Sequence, residues 1–523
     1  MLDELPHEAA KRFGDATAYV SVAGWSLSYR QLDRLSDEAA AGLARLSIGA
    51  GDVVALAMPS LPEYVVAYLA AAKVGAVTAG VNDRLSERER SAVLSVAHPR
   101  LVLATPGAVP DGASHGAELV EVDPADHADG VLAGIRRRDG SPPRLPPDPD
   151  RAVAIVFTSG TTGTPKGAVF ANRQLHAITA ADVGDRWGGG GRTLAGTSFA
   201  HLGFMTKLPG NLRSGGTTYL VHRWHAAEAL ELTERLRLNH IGGIPTQVAL
   251  MLQVPGFDTR DLSSVQMVVM GGGPATPALV RAARAGFAAT VCVRYSCTEA
   301  GIGLGTGPDD PDEDAEVSVG RARPGIELTV RDEEGRVVAP GEVGEVCLHS
   351  AAVMAGYHRD PDATRAAFTD VGALRTGDLG WIDDRQRLRL VGRTKEMYVR
   401  GGYNVYPMEV EGVLAEHPDV AEVAVVPRPD PVMGEIGVAV VVPRSLGEGP
   451  ALEELRAFAA PRLARYKLPE RVEVVDALPR TPMEKVDRSA LHRSLEADGT
   501  TTTAGGGDGA PPGAAKPPET QLS

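Results

Sequence analysis

The chain has 523 residues, 43% of them hydrophobic and 23% charged, and a formal net charge of −14 at neutral pH. That length exceeds what one hydrophobic core supports, so two or more domains are expected. The acidity and the lack of any contiguous basic stretch exclude a general nucleic-acid binder, whose phosphate contacts need clustered cations.

Met1 to Gly14 carries charges throughout and has neither the apolar core nor the cleavage-like site of a signal peptide. No apolar run approaches the ~18 residues of a membrane span. The cysteines, Cys292, Cys297 and Cys347, are odd in number and lack metal-ligand spacing, which suits a reducing, cytoplasmic setting and gives no disulfide framework.

From Leu2 to Val153 helices and strands alternate. Ser28 opens a helix running through Ala44, Val53 to Met58 is a short buried strand, and Leu61 to Val74 is apolar at helical spacing. This rhythm predicts a largely parallel sheet covered by helices. A proline-rich connection, with Pro142-Pro143 and Pro146-Pro147, then leads into the apolar strand Val153 to Phe157.

Directly after that strand stands Thr158-Ser159-Gly160-Thr161-Thr162-Gly163-Thr164-Pro165-Lys166-Gly167, followed by a segment that reads as strand and then helix. Glycines let backbone approach a ligand closely, and the hydroxyls donate to oxygen. Lys166 adds a compact positive charge, and successive N–H groups form an anion-binding concavity, so the loop reads as a phosphate holder. A Walker A loop is excluded, because Pro165 stands where its second glycine belongs and Gly167 follows the lysine.

Farther on, Thr197 to Phe204 contains a lone histidine, His201, and no acidic residue. Val265 to Met270 is a buried-strand pattern breaking at Gly271-Gly272-Gly273-Pro274, with a helix starting near Thr276. Such a break bares backbone at the carboxyl edge of a sheet, where α/β folds bind ligands. The arrangement recurs at once, as the strand Thr290 to Val293 ends in Arg294-Tyr295-Ser296-Cys297-Thr298-Glu299-Ala300-Gly301. Then come Arg375-Thr376-Gly377-Asp378, Gly392-Arg393-Thr394-Lys395 and Arg400-Gly401-Gly402-Tyr403-Asn404. Beyond Lys395 a compact α+β register follows: a helix at Pro407 to Glu416, strands at Val420 to Val426 and Gly437 to Val442, a helix at Leu452 to Leu463 and a strand at Val472 to Val475. It closes on Leu478-Pro479-Arg480-Thr481-Pro482-Met483-Glu484-Lys485.

In this order, across roughly residues 10 to 490, the motifs resemble those of the adenylate-forming superfamily, of the acyl-CoA synthetase type. The resemblance implies an α/β fold. A large N-terminal multi-subdomain region over 1–392, with β-sheets flanked by helices, would join through a hinge at 393–395 to a small mobile α+β domain over 396–495. The Gly, Thr, Pro and Ala-rich tail 496–523 reads as disordered.

The resemblance also implies the chemistry: ATP-dependent activation of a carboxylic acid to acyl-AMP with release of pyrophosphate, then thioester formation with CoA. Thr158, Ser159, Gly160, Thr161, Thr162, Gly163 and Lys166 would hold the phosphates, Gly271, Gly272 and Gly273 would help bind ATP or AMP, and Tyr295 would offer a ring face to the adenine. Asp378 and Arg393 would hold the ribose. Thr298 would meet phosphate, Glu299 the Mg²⁺ that accompanies ATP, and Lys485 the carboxylate and α-phosphate. Lys395 would be the hinge residue, and Gly401 and Gly402 would line the CoA tunnel.

His201, Gly203 and Gly303 would wall the acid pocket. The lack of a carboxylate near His201 disfavours an amino acid, whose desolvated ammonium needs an opposite charge, so an uncharged fatty or aryl acid is expected. Two residues depart from the family pattern, Ser296 in the place of a glycine beside Tyr295 and Glu484 in the place of a glycine beside Lys485. These departures favour one alternative, a weakly catalytic acyl-nucleotide binder; transfer to a carrier-protein thiol is the other.

Overall fold

The computed structural model describes residues 1–158, 164–221, 223–445, 449–481 and 485–499. The expectations for Ser159, Gly160, Thr161, Thr162, Gly163 and Glu484, and for the tail from residue 500, lie outside the described residues.

The first sheet has seven strands in the order Gly356–Tyr357, Lys166–Ala171, Ala152–Thr158, Val77–Val81, Val53–Ala57, Leu101–Ala104 and Glu118–Glu121. Its central strands, Val53–Ala57 and Val77–Val81, run parallel and every residue in them is buried. A parallel strand covered on both faces must be apolar throughout, which is why these stretches read as unbroken hydrophobic runs. The helix Pro62–Val74 is likewise buried at every position, as a helix apolar all round must be. The helix Tyr29–Arg45 starts where expected, because Ser28 accepts the Gln31 N–H while the Gln31 side chain caps the Ser28 N–H.

A five-stranded sheet follows in the order His240–Gly243, Met267–Gly271, Thr290–Tyr295, Leu304–Gly305 and Arg321–Ala322. One face of it, through Val268, Met270, Val291 and Val293, packs into a core shared with the helix Pro277–Phe287. Two further four-stranded sheets complete the large region. One of them, Ile326–Arg331, Gly344–Ser350, Leu374–Ile382 and Leu388–Arg393, is antiparallel and carries the Thr-Gly-Asp segment.

After the turn at 394–396 the chain builds the small domain. Tyr403–Val405, Tyr398–Arg400, Gly434–Pro443 and Val420–Asp430 form its sheet, and Arg471–Val474 adds in parallel to Gly434–Pro443. Helices Pro407–Leu414 and Leu452–Ala459 supply Val410, Leu414 and Leu455 to its core. The last helix, Arg488–Gly499, runs past the 495 boundary expected from the sequence. Leu491 and Leu495 anchor it by packing on Val426, Val438 and Val440, and the helix continues for a further turn. Among the described residues no helix is long and apolar enough to cross a membrane.

Candidate active site

Strand Ala152–Thr158 returns directly as strand Lys166–Ala171, with Thr158 and Lys166 paired in register. The loop between them is therefore a hairpin connection and does not feed a helix N-terminus, which is a second reason it is no Walker A loop. Lys166 Nζ sits 5.0 Å over the ring of Tyr357, whose strand Gly356–Tyr357 pairs with the same hairpin. The Tyr357 hydroxyl donates to Glu299 Oε1 at 2.7 Å. Thus the phosphate-loop lysine and the expected Mg²⁺ ligand meet through one tyrosine that sequence reasoning missed. No motif marks it, since strand pairing rather than spacing places it.

Thr298 and Glu299 lie in the short 3-10 turn Thr298–Ala300, directly after strand Thr290–Tyr295. Among the described residues no group of three or more His, Cys, Asp or Glu side chains is arranged to hold a metal ion. Glu299 gives one oxygen to Tyr357 and keeps the other without a hydrogen-bond partner among the described residues. A single open carboxylate oxygen suits a cation held mainly by ligand phosphates.

Tyr295 is buried, and its hydroxyl donates to Asp378 Oδ2 at 2.6 Å. Arg393 Nε donates to Asp378 Oδ1 at 2.7 Å across adjacent strands, where Asp378 and Arg393 are register partners. Burial above all, and then the Asp378 carboxylate, push the Tyr295 phenol far above its usual range, so it remains a donor. Ser296 turns its hydroxyl to the carbonyl of Cys297 at 3.0 Å. Cys297 has its thiol pushed well up by burial first and Glu299 second, which removes it as a nucleophile.

The small domain brings Lys485 to the same place. Its backbone closes a tight pair with Thr481, whose N–H donates to the Lys485 carbonyl at 2.7 Å. The Lys485 side chain keeps solvent contact inside the cleft, yet its ammonium pKa is depressed by the crowding of protein atoms first and by Arg393 second, with Asp378 opposing. The same ammonium acts on His201, whose pKa is lowered to about 4 by burial, then by Lys485 and Arg84. His201 is therefore neutral at pH 7, and Asn82 Nδ2 contacts its Nε2 at 2.9 Å. The Asn82 contact spans 119 positions of sequence, beyond the reach of motif reading.

The domains are also tied by Arg480, which donates to Thr246 of the large region at 3.3 Å and to Glu422 of its own domain at 2.6 Å. Gly401 and Gly402 occupy the turn of hairpin Tyr398–Val405 with φ of +55° and +85°, which a side chain would strain. The Gly401 N–H donates to the Met433 carbonyl of the same domain. Lys395 is exposed in the turn between the domains.

One expectation about the acid pocket changes. Gly303 gives no room, because a Cβ there would stand 2.3 Å from the Tyr295 carbonyl; its glycine answers a close backbone approach. Gly203, by contrast, is exposed, and a Cβ there would find only Thr197 Oγ1, at 4.0 Å. Lys207, in the turn between the helices Leu202–Met205 and Leu208–Ser214, pairs with Asp182 at 2.5 Å, and Arg323 reaches the same carboxylate at 3.0 Å.

The AMP-binding enzyme family matches residues 6–358, and the AMP-binding enzyme C-terminal domain matches residues 409–485. A fatty acid–[acyl-carrier-protein] ligase of Streptomyces coeruleorubidus is 33% identical over 491 residues, 91% of this chain and 93% of that protein. A long-chain-fatty-acid–CoA ligase of Mycobacterium tuberculosis is 33% identical over 490 residues, 90% of this chain and 93% of that protein. An amide bond synthetase from Marinactinospora thermotolerans, of solved structure, superposes with a TM-score of 0.83 at 29% identity, covering 95% of this chain and 100% of that one.

Proposed function

This chain belongs to the family of AMP-binding enzymes, and on that footing we propose that it activates a fatty or aryl carboxylic acid as the acyl-adenylate and passes the acyl group to the thiol of CoA. The observation that carries the reading is Asp378, held by Tyr295 and Arg393 and standing within charge-coupling reach of Lys485 from the small domain, which also acts on His201.

A carboxylate is a poor acyl donor because its leaving group would be oxide. In the first step a carboxylate oxygen bonds to the α-phosphorus of ATP, and the bond to the β-phosphate oxygen breaks, pyrophosphate leaving with the electron pair. Negative charge gathers on phosphate oxygens, so cations and N–H donors must be aimed there beforehand. Lys485 and Lys166 supply fixed positive charge, and Asp378 with Arg393 fixes the ribose end. Mg²⁺ held with ATP near Glu299 would add further charge neutralisation. The neutral, half-buried His201 would orient the incoming acid without contributing a competing positive charge.

In the second step the thiol sulfur bonds to the acyl carbon and AMP departs, the thiol proton passing to solvent. With Lys485 serving the first step at the Asp378 end of the site, the small domain turns about the 393–395 segment between steps so that the thiol can enter. Val399, Tyr403 and Val432, beside the Gly401-Gly402 turn, are apolar and exposed, as suits a face covered only after that rotation. The second reading, transfer to a carrier-protein thiol, is favoured by the Streptomyces relative that bears that name. Incubation with ATP, Mg²⁺ and an acid panel, with CoA, with a carrier protein or with neither, followed by mass spectrometry of the products, separates the two. Pyrophosphate and acyl-AMP in every arm, with acyl-CoA only where CoA is supplied, is the expected outcome. No pyrophosphate with any acid would end the reading.

A further inference from the structure

The parallel strand Val77–Val81 ends at Asn82, on the carboxyl edge of its sheet, where α/β folds bind ligands. The segment from Thr197 to Met205 is held against that strand end at two points. Ser60 Oγ accepts the Phe199 N–H at 3.1 Å. Gly80 lets the backbone come close, since a Cβ there would stand 2.7 Å from Met205 Sδ and 2.8 Å from Ala200 Cα. His201 is thereby set beside Asn82.

The Asn82 amide has its orientation decided by its partners. Only 3% exposed, it accepts the Arg84 backbone N–H on Oδ1 at 3.0 Å. A backbone N–H only donates, so the carbonyl oxygen faces Arg84 and the NH₂ group faces the imidazole, with Nδ2 at 2.9 Å from His201 Nε2. An amide nitrogen donates and does not accept. Nε2 must therefore offer its lone pair, which places the proton of the neutral ring on Nδ1. The turn carrying the amide is braced in its own right: the Leu85 N–H donates to the Asn82 carbonyl at 3.2 Å, and Arg90 donates to the carbonyls of Asp83 and Leu85 at 3.2 and 2.6 Å. Protonation of the ring would set two N–H donors against each other, and burial with the charges of Lys485 and Arg84 opposes it in the same direction. Nδ1 has no hydrogen-bond partner among the described residues, so it is the ring atom left for a ligand.

We propose that Asn82 is a positioning residue for acid activation: its amide holds His201 in the neutral tautomer protonated on Nδ1, and that N–H donates to one carboxylate oxygen of the acid while the other attacks the α-phosphorus. The inference rests on the adenylation reading and deepens it by naming the atom that orients the acid. A neutral donor suits the task, because an imidazolium would bind the carboxylate more strongly and draw electron density from the attacking oxygen.

The test joins a spectroscopic readout to kinetics in the full chain. Histidine ¹⁵N labelling, with His201→Gln to assign its resonance among the 13 histidines, reports which ring nitrogen carries the proton. Asn82→Asp keeps the size of the side chain and the acceptor for Arg84 but sets an oxygen opposite Nε2, so Nε2 must become the donor. The wild type is expected to show the Nδ1–H form at about pH 7. In Asn82→Asp the proton should stand on Nε2. The KM for the acid in ATP–pyrophosphate exchange should then rise about tenfold, as for loss of one hydrogen bond to a charged group, with the KM for ATP little changed. Asn82→Ala removes the amide without adding charge or a new acceptor, and should give a mixture of tautomers with a smaller rise in the KM for the acid; it keeps the test open should the aspartate disturb the fold. A wild type with the proton on Nε2, a tautomer change that leaves the KM for the acid unaltered, or equal rises in KM for acid and ATP overturns the proposal. A wild type that shows the Nδ1–H form yet exchanges pyrophosphate with no acid would instead end the adenylation reading and, with it, the role given to Asn82.

Discussion

Asp378 gives both of its oxygens to protein donors: Oδ2 takes the Tyr295 hydroxyl at 2.6 Å and Oδ1 takes Arg393 Nε at 2.7 Å. A carboxylate still has lone pairs to spare for a ribose diol, so the two donors fix its plane without consuming its capacity. Tyr295→Phe keeps the ring and removes only this bond. The expected result is a rise of about tenfold in KM for ATP with a smaller change in kcat, since a charge-assisted hydrogen bond is worth ~1.5–3 kcal/mol. Steady-state kinetics at varied ATP checks it.

The Tyr357 hydroxyl orients Glu299 in the same manner. In Tyr357→Phe the carboxylate loses its anchor but remains present, so the Mg²⁺ needed for half-maximal activity should rise several-fold, with much of the maximal rate recovered at saturating metal. Glu299→Gln should not be rescued by metal. A magnesium titration of both variants distinguishes positioning from direct contact.

The buried neutrality of His201 predicts an acid-sensitive fold. Its folded pKa, about 4, lies below the unfolded value, so the unfolded chain binds more protons between the two, and stability falls as pH drops from ordinary histidine values toward 4. In His201→Gln that part of the pH dependence should vanish. Denaturant melts across pH 4 to 7 measure the slope directly.

Lys395→Pro fixes one backbone angle in the exposed turn between the domains. Acyl-AMP formation should persist while thioester formation slows by about tenfold or more, as expected when a conformational step limits turnover. A burst of acyl-AMP in rapid-quench experiments is the signature, and loss confined to the first step would move the hinge elsewhere.

Much of this was legible in the chain because the chemistry sits at strand ends marked by local signals. Tyr295, Thr298 and Glu299 follow one apolar strand, and the apolar runs at 420–426 and 437–442 announced the small domain's sheet. What escaped was set by pairing over long separations. Tyr357 reaches Glu299 through a two-residue strand, Asn82 reaches His201, and the antiparallel sheet from Ile326 to Arg393 is built of half-exposed strands with weak periodicity. Gly303 misled because a glycine required by backbone contact looks, in sequence, like one that leaves room. Lys207 and Arg323 are unremarkable until the fold gathers them around Asp182.

The central claim is that Lys485 serves the first half-reaction and must leave for the second. The direct test measures both steps separately in Lys485→Ala: pyrophosphate release from ATP and acid, and thioester formation from supplied acyl-AMP and CoA. The account predicts a fall of about a hundredfold or more in the first, in keeping with loss of a charge aimed at the transition state, and little change in the second. Equal loss in both would contradict it.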